Sequence, residues 1–391
     1  MTQEINKENY FLSQPHQPFF ILAIANAIIM ILLFSLSFKG VLNLQISALT
    51  FHTYTIVFTV FTNVFTGFLF TTFSKFCQYK VIEKNNYTKI FFANLFGTVL
   101  FLVGAFINET VLHIGMFVLF SSNIFIVYIL DSIYKNGQAV DKKDSFWILI
   151  ANYLGLFAHF LFLLSPFIIG LENIAIKTSF YLYLIFLTFT VAQRMIPFFS
   201  HSYEPKAEKL LIVIFTLFVL KTLFSVLDIK IVEIIIDILL GFFLLREFLR
   251  WKLSPLTSPA ILWVLHLGLF WLPTAFILSA ISLTAELFLD TNFYYLNIHL
   301  LAIGFLTTIL IGFGTRVTLG HSSQPPHADR FVIGLFWFIQ VVVLLRAIYS
   351  INIAFGWGLN FLFDISFTAW LVLFLLWGGR YFKVLVFGSK L

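Results

Sequence analysis

Apolar stretches of about 20 residues recur along the whole chain, and they restrict its possible folds more than any other feature. An α-helix needs roughly this length to cross the hydrocarbon core of a bilayer. The pattern therefore predicts an all-α, polytopic membrane bundle of about 12 transmembrane helices. The predicted spans are residues 18–37, 51–74, 89–107, 109–131, 145–170, 174–193, 209–227, 229–249, 259–282, 293–315, 331–350 and 357–379.

Charged residues are too few to cover a soluble protein. They make up 11% of the 391 residues, whereas a soluble domain carries roughly 25%. The surroundings must therefore be lipid, and the lipid bilayer is the first expected partner. The breaks between apolar stretches contain turn residues and are too short for a soluble domain. The sequence predicts one integral membrane domain over residues 1–391, with short cytoplasmic tails at 1–17 and 380–391.

The distribution of Lys and Arg predicts the orientation, because positive charge is retained in the cytoplasm. With the N-terminus inside, 19 of the 24 Lys and Arg residues fall on the cytoplasmic side. The split of 19 to 5 predicts that both termini are cytoplasmic. It also accounts for the net charge of +6 without a nucleic-acid partner. The five residues on the outer side are Lys39, Lys177, Lys221, Lys230 and Arg346.

Several of the nine histidines fall inside predicted spans. His52 and His299 lie near the outer side at similar depth, His159 lies mid-membrane, and His266 and His321 lie toward the inner side. Neutral imidazole can coordinate copper or heme iron without burying a charge. Axial heme ligands come from two helices at one depth, a condition that His52 and His299 meet. All five are candidate metal ligands; the alternative is that each is a hydrogen-bonded core residue.

Two arginines mark the predicted inner rim of the membrane. Arg194 precedes Pro197, which is expected to end the sixth helix, and Arg316 lies in a Gly-rich stretch before His321. One interpretation is ordinary positive-inside anchoring. The other is that each guanidinium holds a carboxylate, such as a heme propionate, by a bidentate contact.

A second group of charges is predicted within the outer half of the membrane. Lys221 lies near the end of the seventh helix, and Glu233 and Asp237 share one face of the eighth. A Lys–carboxylate ion pair across this hairpin is one interpretation, and a proton relay is the other. Asp364 in the last helix is open to either role.

Short motifs spread from residue 15 to about residue 325 resemble those of the NnrS family. Pro15-His16-Gln17-Pro18-Phe19-Phe20 resembles the family's approach to helix one, and His52 with Gly67-Phe68-Leu69 resembles its second helix. The Arg-Met-Ile-Pro-Phe-Phe run from Arg194 is similar to its Arg-x-Ile-Pro-Phe-Phe segment. His266-Leu267-Gly268 and the stretch from His299 to His321 resemble the ninth and tenth helices. A looser match runs from Asn152 to His159.

The resemblance implies a bacterial inner-membrane protein that contains heme and copper. Such proteins take part in the nitric oxide response, in resistance to nitrosative stress and in denitrification. Nitric oxide would then be the small gaseous ligand. No catalytic reaction and no catalytic residue follow from the resemblance. His113 has no counterpart in the family and is the less favoured ligand.

Two other functions fit a chain of this kind. A secondary transporter often has about twelve helices and a midplane site between internal repeats. Here no clear repeat relates the two halves, and the buried charges lie toward the outer half. A heme- or copper-handling assembly factor would bind the same cofactors without turnover. The sequence does not indicate an oligomeric state.

Overall fold

The computed structural model describes residues 7–391 and contains twelve long helices within that range. A short 3₁₀-helix, Lys7–Leu12, precedes the first of them. We number the long helices in chain order. They are α1 His16–Phe38, α2 Ala48–Phe76, α3 Lys84–Ile107, α4 Glu109–Asn136, α5 Lys143–Leu164, α6 Leu171–Phe199, α7 Leu210–Val226, α8 Lys230–Arg250, α9 Ala260–Leu289, α10 Leu296–His321, α11 Arg330–Phe355 and α12 Phe361–Phe387.

Ten of these twelve helices are long and apolar enough to cross a membrane. The other two are α7, which is shorter at 17 residues, and α8, which contains Glu233 and Asp237 among its charged residues. The described part of the chain contains no strand. The predicted all-α membrane bundle is therefore confirmed, and the protein is a multi-pass membrane protein.

The helices extend into both predicted tails. Helix α1 already begins at His16, and α12 continues to Phe387. Tyr381, Val384 and Leu385 are almost fully buried, so packing of these side chains extends the last helix beyond the apolar span. The first six residues of the predicted N-terminal tail lie outside the described residues.

Contacts between Cα atoms divide the chain into two compact units. The first contains the described residues up to Ser179, together with Val317–Pro325 and Phe374–Leu391. The second contains Phe180–Arg316 and Pro326–Leu373. The chain passes from one unit to the other within α6, α10 and α12, and in the loop between α10 and α11.

Polar side chains lie inside the first unit, whereas large apolar side chains cover its helices. Phe117 and Phe125 on α4 are 60% and 61% exposed. Inside, Asn94 donates a hydrogen bond of 2.9 Å to the side chain of Asn63, which in turn donates to the carbonyl of Thr59. This arrangement suits a lipid environment, because buried amides must find protein partners where no water is available.

Helices α2, α6 and α10 each contain a π-helical segment. The segments are Ile56–Phe61, Thr178–Ile185 and Leu300–Thr307. These three helices are also the most buried of the candidate spans. A π-helical turn carries an extra residue and is often found at functional sites, which directs attention to the residues beside these segments.

Glycines allow α3 and α4 to approach each other closely. A Cβ atom added to Gly104 would lie 2.0 Å from the backbone nitrogen of Leu112, and one added to Gly115 would lie 2.4 Å from that of Phe101. Only glycine permits such a contact between helix backbones. The tight α3–α4 hairpin therefore depends on these two positions.

Replacing Gly104 with alanine is expected to destabilise the protein by about 3 kcal/mol, because the added methyl group forces two backbones apart. Thermal unfolding in detergent would measure the loss. Gly334 in α11 provides the matched control, since nothing lies within 4 Å of an added Cβ. There, alanine is expected to stabilise the helix by about 0.5–1 kcal/mol. Equal effects at the two glycines would contradict this account of the hairpin.

Candidate functional site

His299 lies immediately before the π-helical segment of α10. Its Nδ1 atom lies 2.9 Å from the carbonyl oxygen of Tyr295. Because a carbonyl oxygen can only accept, Nδ1 carries the proton, and the neutral ring has its lone pair on Nε2. Metal-bound histidines usually donate their second ring nitrogen to a carbonyl or carboxylate in this way. The half-buried side chain thus has the tautomer of a ligand that binds through Nε2.

His52 lies in α2, four residues before its π-helical segment. Its ring stacks on that of Phe34 from α1, with ring centres 4.2 Å apart and an angle of 25° between the planes. The side chain is half-buried. Stacking fixes the plane of the imidazole, which is one requirement for a ligand of defined orientation.

Three of the residues that follow the two histidines match in type and spacing. Starting from His52, an isoleucine follows after 4 residues, a phenylalanine after 6 and a glycine after 15, and the same residues follow His299 at the same distances. The π-helical segments lie within both stretches. Sequence reasoning found no repeat between the halves, because this short match becomes significant only once the shared π-helical geometry is visible. The corresponding residues are Ile56, Phe58 and Gly67 in α2, and Ile303, Phe305 and Gly314 in α10.

His159 is fully buried in the first unit, and side chains occupy both of its ring nitrogens. Asn123 Nδ2 lies 2.8 Å from Nδ1, and Tyr54 Oη lies 2.8 Å from Nε2. The ring of Phe58 stacks on the imidazole at 3.9 Å. The amide nitrogen of Asn123 can only donate, so Nδ1 is the acceptor. The ring proton is therefore on Nε2, which donates to Tyr54. The arrangement is that of a hydrogen-bonded core histidine, and metal binding would require one of these bonds to break.

His266 in α9 is similarly enclosed within the second unit. Its Nδ1 donates to the carbonyl oxygen of Ser254 at 3.0 Å, and its Nε2 accepts from Ser200 Oγ at 2.7 Å. Both nitrogens are therefore used, and the residue joins α9 to the end of α6. Neither His159 nor His266 fits a metal without a change in its hydrogen bonds, although ligation by either one is still a prediction.

His321, the last residue of α10, lies beside His16, the first residue of α1. Their ring centres are 4.8 Å apart, and the planes make an angle of 40°. His16 is 2% exposed, and its Nδ1 atom is buried without a hydrogen bond to any described residue. Sequence reasoning placed His321 toward the inner side and His16 in the cytoplasmic N-terminal tail but did not pair them, because more than 300 residues separate them in the chain.

The two arginines of the predicted inner rim are both half-buried. The guanidinium carbon of Arg316 lies 4.0 Å from the ring centre of Phe199. A guanidinium over an aromatic ring is a favourable cation–π contact, which holds Arg316 at the end of α6. Arg194 lies in α6, which runs through Pro197 to Phe199. The expectation that Pro197 ends the helix is therefore wrong by two residues.

The predicted ion pair across the α7–α8 hairpin is present. Lys221 Nζ lies 2.8 Å from both Glu233 Oε2 and Asp237 Oδ2. All three side chains are nearly inaccessible to solvent. Among the residues that the structure describes, no group of three or more His, Cys, Asp or Glu side chains is arranged to hold a metal ion. The histidines are thus found singly or, at His16 and His321, as a pair.

A family model for the NnrS protein matches residues 10–387 of the 391-residue chain. The chain belongs to the NnrS family. No curated protein matches the chain. The match spans all twelve long helices, including α11 and α12, in which the sequence motifs gave no indication of the family.

Membership in the NnrS family directs attention to the histidine positions within its motifs. The structure divides these into two classes by their hydrogen bonds. His159 and His266 have both ring nitrogens engaged by other residues. His299 has the tautomer of an Nε2 ligand, and His16 has a buried nitrogen without a hydrogen bond among the described residues. Sequence depth could not make this distinction.

Proposed function

We propose that this protein binds heme and copper in the bacterial inner membrane and acts in the response to nitric oxide and nitrosative stress. When bound, heme iron and copper each supply one-electron chemistry and bind small uncharged gases. Buried neutral ligands in an apolar surrounding favour such a gas over anions.

The observation that carries the proposal is the correspondence between His52 and His299. Each lies on one of the three most buried candidate spans, and the same three residue types follow at the same distances. A π-helical segment begins four residues after His52 and one residue after His299. We propose that each of these two histidines is an axial ligand of heme. Separately, Arg316, whose guanidinium lies over the ring of Phe199, and Arg194 are proposed to hold a carboxylate at the inner rim, such as a heme propionate.

Copper is proposed to bind at His16 and His321. Imidazole is a preferred ligand of copper, and the side chains of this pair lie in ring contact. The buried Nδ1 of His16 is the chemical reason for choosing this pair as the copper site. A buried ring nitrogen without a hydrogen bond is costly unless it gains a partner. A bound copper ion would provide that partner.

The visible spectrum and the metal content of the purified protein test the proposal. A Soret band together with bound copper is the expected result. If the protein, prepared from cells supplied with iron and copper, shows neither, the proposal is wrong. The secondary transporter would then become the better hypothesis. Stoichiometric copper and heme without any reaction with nitric oxide would favour the assembly factor.

Replacing His16 with alanine is expected to lower bound copper at least tenfold and to leave the Soret band in place. The loss of one of only two imidazole ligands explains the size of the effect. Copper content per heme, measured by elemental analysis, gives the result. His201, an exposed histidine in the loop after α6, is the matched control. Copper retained in the His16 variant at the control level would exclude this site.

The predicted orientation, with both termini cytoplasmic, belongs to the same proposal. It places His52 and His299 toward the outer side and His16 with His321 toward the inner side. Reporter fusions at the C-terminus would test it. Activity of a periplasmic reporter such as a phosphatase at that end would contradict the orientation.

A further inference from the structure

The buried charges between α7 and α8 do not balance. Lys221 contributes one positive charge, whereas Glu233 and Asp237 contribute two negative charges when ionised. The side chains of Lys221 and Asp237 are 1% and 0% exposed, and no second cation is paired with either carboxylate within the described residues. An excess charge inside a membrane domain is costly, and a buried group normally avoids it by becoming neutral.

The surroundings of Asp237 are specific. Its Oδ2 atom accepts hydrogen bonds from Lys221 at 2.8 Å and from Ser279 of α9 at 2.6 Å. Its other oxygen, Oδ1, is buried and has no hydrogen bond to a described residue. The phenol oxygen of Tyr181 on α6 is likewise buried and without a hydrogen bond, and its ring centre lies 5.9 Å from Lys221 Nζ.

We infer that Asp237 is a proton-binding site, which holds one exchangeable proton on Oδ1 while Oδ2 stays bonded to Lys221 and Ser279. The proton comes from water and returns to it, so that the carboxylate becomes a carboxylic acid and no other bond changes. With this proton bound, the charges of Lys221, Glu233 and Asp237 sum to zero. A metal cation fits less well, because the ammonium group of Lys221 already lies between the two carboxylates.

A graded set of side chains connects this site to the end of the hairpin. Lys230, in the first turn of α8, pairs with Glu286 of α9 at 3.2 Å, and these side chains are 33% and 14% exposed. The side chain of Glu233, one turn further along α8, is 7% exposed, and that of Asp237, another turn along, is 0% exposed. Burial thus increases stepwise from the turn toward Asp237, so the end of this series at the turn is the one nearest to water.

Infrared spectroscopy of the full-length purified protein in neutral buffer tests this inference. A protonated carboxyl group has a C=O stretching band that is separate from the amide bands and moves to lower frequency in D₂O. We expect this band in the wild type and in Glu286→Gln. We expect it to be absent in Asp237→Asn. Asparagine keeps an acceptor for Lys221 and Ser279 and is uncharged, like the protonated Asp237, so this variant should fold.

A band that survives in Asp237→Asn, or that disappears in Glu286→Gln, would place the proton elsewhere and overturn the inference. Absence of the band in the wild type would do the same. Ser279→Ala is the second variant, because it removes one hydrogen bond to Asp237 and should shift the band in frequency. An unchanged frequency in that variant would also count against Asp237. None of these readouts depends on heme or copper.

Discussion

Replacing His299 with alanine should abolish the Soret band of the purified protein. The reason is that the lone pair on Nε2 is the proposed axial ligand, and a heme that loses an axial histidine is bound far more weakly. The same loss is expected for His52→Ala, because His52 in α2 is also proposed as an axial ligand. Absorbance at the Soret maximum per unit of protein measures the effect, and a decrease of more than tenfold is expected.

His113 provides a closely matched control for His299. It lies near the start of α4, and its Nδ1 bonds to the carbonyl of Glu109 four residues earlier at 2.8 Å. The local geometry of the two histidines is thus alike, but no π-helical segment follows His113. His113→Ala should keep full heme content. If the His113 variant lost heme while the His299 variant kept it, the assignment of ligands would be wrong.

Replacing Lys221 with methionine should destabilise the protein by about 3–5 kcal/mol, the usual cost of leaving one side of a buried ion pair without its counterpart. Lys221 bonds to two carboxylates at 2.8 Å each, so its removal leaves both without their cation. Thermal unfolding in detergent would measure this loss, with the amount of monodisperse protein that remains after heating as the signal.

Lys230 supplies the comparison for that variant. Its pair with Glu286 is longer, at 3.2 Å, and its side chain is one-third exposed. Lys230→Met should therefore cost only about 0–1 kcal/mol. Adding Asp237→Asn and Glu233→Gln to Lys221→Met should recover much of the lost stability, since no uncompensated charge is then left. If the triple variant were as unstable as Lys221→Met, the charge explanation would be wrong.

The membrane fold could be predicted from the sequence because each spanning helix is specified locally. A run of about 20 apolar residues must become a helix in lipid, where backbone groups can bond only within the segment. The predicted positions of the helices therefore agree with the structure to within several residues. Their ends were less predictable, as Pro197 and the tail after residue 380 show, because packing rather than hydropathy decides the last turns.

The candidate site was only partly predictable. Lys221, Glu233 and Asp237 could be grouped because a tight turn and a four-residue spacing place them together. The pairing of His16 with His321 could not be predicted, because nothing in the local sequence records a contact between distant segments. The same limit applies to His159 and His266, whose hydrogen bonds come from other segments of the chain.

The sequence by itself thus determined the membrane location, the number of long helices and the set of histidines at membrane depth. The recurring apolar stretches suffice for this, since the bilayer requires of each helix a length and a composition that can be read along the chain. Only the tertiary structure decided which ring nitrogens are engaged and that α2 and α10 share a π-helical segment after a histidine. Those properties depend on which side chains meet across helices, and packing, rather than hydropathy, sets those contacts.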